Sequence, residues 1–110
     1  MSSTLITVTD TPAPGASNFT PASANVAVGA NVTLKSSGSG TINVYTWIGD
    51  PSPTNGPQAI FTSGNPPYAA PKSEGHQYTL KPTIPAGTKI TQSINISGTG
   101  MNGTINVKPG

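Results

Sequence analysis

The stretch INVYTWI, residues 42–48, decides the fold. It mixes β-branched residues with two aromatics and holds no charge, Gly or Pro, the composition of a strand. Ile42 and Val44 face one side, Tyr45 and Trp47 the other. The apolar set therefore changes face near Val44. A bulge there, or a strand covered on both faces, accounts for it.

Working outward, short alternating segments recur and no apolar pattern of period 3.6 appears. Leu5 to Val8, Val26 with Val28, and Val32 with Leu34 read as strands before the central one. Ala59 to Thr62, Gln77 to Leu80, Lys89 to Ile96 and Thr104 to Val107 read as strands after it. In Lys89–Ile96 the apolar side is Ile90, Ile94 and Ile96, interrupted by Gln92. Turn-rich segments separate them: 36–40, 49–58 and 98–103, and a long loop over 63–75 with three prolines. There are 13 Gly and 12 Pro in 110 residues, which argues against long helices. The spacing predicts an all-β, single Greek-key β-sandwich of about seven or eight short strands. Residues 1–18 read as an extended arm or edge strand with a Pro/Gly hinge, and residues 19–110 as the sandwich.

Charged residues make up 7% of the chain, against about 25% in ordinary soluble domains. The acids are Asp10, Asp50 and Glu74, the bases are five lysines, and His76 is the single histidine. Acid–base catalysis and an all-protein metal cage have little material to draw on. With no cysteine there is no disulfide or thiolate ligand. The lysines are scattered, whereas phosphate binding needs cations converging on one track, so no nucleic-acid partner is expected. No apolar run approaches the roughly 20 residues of a membrane helix, and residues 1–20 lack the pattern of a secretory signal. No cofactor and no enzymatic activity are expected.

The stretch 21–49 resembles the opening of prokaryotic immunoglobulin-like, or polycystic-kidney-disease-type, domains. Val28-Gly29, Val32-Thr33-Leu34 and Trp47 follow that order, and residues 87–91 (GTKIT) fall in the region of strand F. This resemblance implies a core tryptophan at Trp47. It places the antibody-type cysteine positions at Ser36 and Thr91, and the corner tyrosine at Lys89. A second resemblance is to the cupredoxins, carried by Phe19-Thr20-Pro21, Val28-Gly29 and residues 61–64 (FTSG), 85–88 (PAGT) and 100–105 (GMNGTI). A blue-copper site takes two His, a Cys thiolate and a weak axial ligand. The resemblance places the Cys position at Ser93, the histidine positions near Tyr45 and Ile96, and the axial position near Thr99. None is a ligand of that kind, so it implies a copper-free version. Both resemblances imply a sandwich that is immunoglobulin-like or cupredoxin-like.

Other side chains carry weaker chemistry. His76 beside Glu74 reads as a surface pair, Asp50 as a turn cap rather than a calcium ligand. Tyr45, Trp47, Phe61 and Tyr68 could form a sugar-stacking face, carried mainly by Tyr45 and Tyr68. The expected function is that of a structural, non-enzymatic interaction protein. Its most concrete form is an auxiliary component on a virion surface, such as a capsid decoration or cement protein bound to a capsid subunit. Leu5, Ile6 and Val8 of the arm, with Tyr45 and Tyr68, are the candidate partner contacts, by strand addition in the case of the arm. The alternative is an extracellular or cell-surface adhesion or carbohydrate-binding module, with a glycan as ligand.

Overall fold

In the computed structural model, which describes residues 3–110, nine strands form two sheets. The elements are β1 (Ser3–Val8), β2 (Phe19–Thr20), β3 (Ser23–Ala27), β4 (Asn31–Ser36), β5 (Ile42–Ile48), β6 (Tyr68–Ala70), β7 (His76–Thr79), β8 (Lys89–Ser93) and β9 (Gly103–Lys108). One sheet has the order β2-β1-β4-β7, the other β3-β9-β8-β5-β6. No helix occurs among the described residues. The all-β sandwich expected from the turn spacing is the fold observed.

Alternation builds the core. Ile6 and Val8 from β1, Val32 and Leu34 from β4 and Tyr78 from β7 point inward from one sheet. Ala24, Val26, Ile42, Val44, Ile90, Ile105 and Val107 meet them from the other. The polar residues between them stay at the surface, which locks the register: a one-residue slip would turn each apolar set outward. Two neighbouring pairs are parallel, β1 with β4 and β3 with β9. All other ladders are antiparallel.

Of the two readings of residues 1–18, the extended arm is overturned: β1 pairs with β4 along its whole length, while on its other side only Thr7 and Val8 meet β2. β1 lies between β2 and β4 and runs in register with β4 from Ser3↔Asn31 to Val8↔Ser36. Ile6 and Val8 are fully buried, so they are core residues and not partner contacts. Alternating β-branched side chains gain more by closing their own sandwich than by waiting for a neighbour. Residues 9–18 are also tied down: Thr9 N–H donates to Asn18 O at 2.8 Å, and Asn18 N–H to Met101 O at 2.8 Å. Of the arm contacts, Leu5 alone stays accessible, at 52% exposure. Met1 and Ser2, the start of that arm, lie outside the described residues.

The central strand needs no bulge. Its pairs with β6 and β8 run without a break, Ile42↔Ala70 to Val44↔Tyr68 and Tyr45↔Ser93 to Ile48↔Ile90. Ile42, Val44 and Thr46 face the core, and Trp47 is buried on the opposite face. The strand is thus covered on both faces at Trp47, the second of the two explanations. Trp47 is not part of the inter-sheet core cluster.

Two further boundaries differ. Residues 59–62 form no strand, yet Phe61 bridges Leu80 and Lys81 N–H donates to Ile60 O at 2.9 Å. The proline-rich stretch 63–75 holds the short strand β6 at its middle. β8 stops at Ser93, and Ile96 is 66% exposed instead of extending the apolar side.

Candidate functional site

At one end of the sandwich, the chain leaves β8 at Ser93 and returns into β9 at Gly103. The intervening loop, residues 94–102, is held by its own hydroxyls and amides. Ser93 Oγ accepts a hydrogen bond from Asn95 N–H at 3.1 Å and donates to Thr99 O at 3.3 Å. Asn95 Nδ2 donates to the same carbonyl at 3.0 Å, and Asn102 Nδ2 to Gly98 O at 2.6 Å. Ser17 Oγ is within 3.1 Å of both Met101 O and Asn102 O, tying in the loop after β1. The stretch 94–102 contains no charged residue and exposes Ile96 and Met101, the latter at 42%.

A second loop, residues 49–58, lies beside it. Gln58 O accepts from Thr46 Oγ1 at 2.6 Å, and Gln58 Oε1 from Ile48 N–H at 3.0 Å. Pro51 meets the first loop at Gly98, which has φ +75°; a Cβ there would sit 2.4 Å from Pro51 and 3.4 Å from Trp47 Cζ2. Both the positive φ and the space require glycine. Trp47 is therefore sealed by the two loops at 1% exposure.

Three of the four positions that the cupredoxin resemblance gives to copper ligands gather at this end. Tyr45 and Ser93 are directly opposed across β5 and β8, and Thr99 is bonded to Ser93 through its carbonyl. Ile96 points to solvent and joins no such group. The groups here are hydroxyls, amides and carbonyls, and those of Ser93, Asn95 and Thr99 are bonded to one another. A blue-copper centre takes imidazoles and a thiolate, so these residues do not fit copper. Addition of Cu(II) is expected to produce no intense visible absorption band. An intense band would show that ligands converge somewhere other than at Ser93.

The sugar-stacking face is not assembled. Tyr68 and Phe61 are buried at 3% and 1%, and their rings meet edge-to-face at 4.7 Å. Tyr78 stacks on Phe61 at 4.8 Å. Tyr68 Oη accepts from the buried N–H groups of Ile60 and Phe61 at 3.2 and 3.4 Å. Tyr68 is thus a core residue and not a partner contact. Burial wins because its ring area and its hydroxyl are both satisfied inside. Tyr45 is half-buried on the outer face of β5 and remains accessible.

His76 packs against Tyr78, ring centroids 4.5 Å apart. No group of three or more metal-ligating His, Cys, Asp or Glu occurs among the described residues. Asp50 forms an ion pair with Lys89 at 2.8 Å, on exposed side chains, a contact worth little in water.

Burial pushes the Tyr78 hydroxyl, which donates to Ala69 O at 2.7 Å, above the ordinary tyrosine value of 10.0, and Tyr68 adds to the rise. The unfolded chain then ionises first. The associated stability is complete below about pH 10 and is lost as the pH climbs through the native value. The urea midpoint is expected to fall on the alkaline side, and Tyr78→Phe to flatten that fall. An unchanged pH profile in the variant would remove Tyr78 as its cause.

Gln92 was visible in the sequence only as an interruption, and the structure makes it unusual. It is fully buried on the core face of β8, and neither Nε2 nor Oε1 has a hydrogen-bond partner among the described residues. Leaving an amide unpaired costs about 1–3 kcal/mol. Gln92→Met, near in volume, is expected to raise the denaturation midpoint by about 1 kcal/mol of stability. A marked loss in the variant would mean that the amide is satisfied within the fold.

No protein-family model matches the chain, and no curated protein does. Among solved structures, a purple cupredoxin from Nitrosopumilus maritimus is similar in fold. The TM-score is 0.55 at 17% identity, covering 96% of this chain and 99% of that chain. The class is therefore an all-β sandwich of cupredoxin-like fold. Of the two resemblances read from the sequence, the cupredoxin one has this structural neighbour.

Proposed function

We propose that this chain is a non-enzymatic interaction module on a copper-independent cupredoxin-like sandwich, acting as an auxiliary surface component of a large assembly such as a capsid. The observation that carries this reading is the loop 94–102. It exposes Ile96 and Met101 on a stretch without charge, while its own polar groups bond one another. Apolar contacts next to uncharged backbone cost little desolvation when a protein partner covers them. Internal hydrogen bonding pre-organises the loop, which lowers the ordering cost of binding. Of the contact set expected from the sequence, Tyr45 and Leu5 are the accessible members.

Burial of Tyr68 removes the main support for the carbohydrate-binding alternative. The site would be occupied on the outside of the particle, with a capsid subunit as partner. The test is rate-zonal sedimentation of the native protein from its source. Migration with a large particle at a fixed copy number supports the reading. Recovery solely as a free monomer that retains a glycan on an array would overturn it.

A further inference from the structure

The chain contains two Asn-Gly pairs, Asn55-Gly56 and Asn102-Gly103. Asparagine before glycine is the pair most prone to cyclise, because no side chain shields the glycine nitrogen. The two sites are held very differently. Gly103 is buried as the first residue of β9, opposite Gln92 in the ladder with β8. Its nitrogen cannot turn back on Asn102 without breaking the sheet. Gly56 is exposed in the loop 49–58. Its N–H makes no protein hydrogen bond among the described residues.

We infer that Asn55 is a site of spontaneous deamidation, and that its amide is a latch on the cover of Trp47. Asn55 Nδ2 donates to Ile48 O at 3.1 Å and to Asp50 O at 2.8 Å. These two bonds pull the far side of the loop onto the end of β5, one residue from Trp47. In the same loop Pro51 meets Gly98, which lies against the indole: a Cβ at Gly98 would sit 2.4 Å from Pro51 and 3.4 Å from Trp47 Cζ2. The reaction needs only water. The Gly56 nitrogen, giving its proton to hydroxide, attacks Cγ of Asn55. The Cγ–Nδ2 bond breaks, and ammonia leaves with a proton from water. Water then opens the resulting succinimide at either carbonyl, leaving aspartate or isoaspartate. One water is consumed, the nitrogen departs as ammonium carrying the proton of the new acid, and the chain gains one negative charge.

The product cannot serve as the latch. A carboxylate has no N–H to donate, and it would face two carbonyl oxygens at hydrogen-bonding distance. Repulsion should release the loop 49–58 and wet Trp47. Because Trp47 is the single tryptophan, its emission reports that release directly.

The experiment ages the intact protein in warm, mildly alkaline buffer. Fragmentation mass spectrometry locates the acid, and tryptophan emission is followed in parallel. The expected result is acid at residue 55 well ahead of residue 102, with a red shift of emission growing at the same rate. Gly56→Ala is the control. An added Cβ meets nothing within 4 Å, so the fold is kept while acid formation slows several-fold and the red shift slows with it. Asn55→Asp should show the shifted emission from the start. Acid appearing first at residue 102, or at neither site, would overturn the site. Acid at residue 55 with unchanged emission would overturn the latch, as would unshifted emission in Asn55→Asp.

Discussion

Deletion of residues 1–10 is expected to unfold the whole domain. β1 pairs with β4 and carries β2, and its loss strips one side of β4 along its full length. Ile6 and Val8 lose complete burial, a loss of about 1.5–3 kcal/mol for each side chain. Domains of this size are stable by about 5–15 kcal/mol in total. The ladder with β4 and the anchorage of β2 at Thr7 and Val8 go as well. The truncated chain should lose its dispersed amide NMR spectrum and its cooperative thermal transition. A folded truncation with a small drop in melting temperature would mean that β1 is an appendage after all.

Trp47→Ala is the second large effect. The indole is 1% exposed, yet it stands outside the inter-sheet core, sealed by Pro51 and the loop at Gly98. Truncating a buried tryptophan costs about 3–5 kcal/mol. Both covering loops lose their common floor, so the cavity should collapse poorly and the cost should lie toward the upper part of that range. Urea denaturation measures it. A cost below about 1 kcal/mol, the range of surface substitutions, would show that the loops do not depend on the indole.

These two residue groups also show how far the sequence could be read. Alternation of β-branched residues located β1, β4, β5 and β9 because each segment carries its own inward face. It could not say which strands are neighbours. The parallel pairing of β1 with β4 is a long-range choice, and an apolar segment beside Pro and Gly reads equally well as an arm. Aromatics were the other ambiguity. Tyr68 sits in a proline-rich stretch whose composition hides β6, and only the tertiary partners Phe61 and Tyr78 turn its ring inward. Trp47 was recognised as buried, but on the strength of an immunoglobulin-type core position. Its actual cover comes from two loops, for which sequence alternation carries no signal.

The candidate site was partly legible. Placement of the copper-ligand positions at Tyr45, Ser93 and Thr99 brought together residues that do meet at one end of the sandwich. What replaces the metal was not legible, because Ser93, Asn95 and Asn102 are ordinary turn residues until their hydrogen bonds are seen. Alternation puts Ile96 on the apolar side of a longer strand. The hydroxyl of Ser93 ends β8 early by capturing Asn95 N–H and Thr99 O, and this leaves Ile96 in solvent.

The central claim, that the uncharged loop 94–102 seats this sandwich on a larger particle, is tested most directly by one binding measurement. Purified particles stripped of the protein are mixed with wild type or with the double variant Ile96→Asp, Met101→Asp, and the fraction sedimenting with the particle is determined. Both side chains are exposed, so the variant should keep its fold. The account predicts saturable binding of the wild type at a fixed copy number and loss of most of that binding in the variant. Equal binding of the two proteins, or no binding of the wild type, would contradict it.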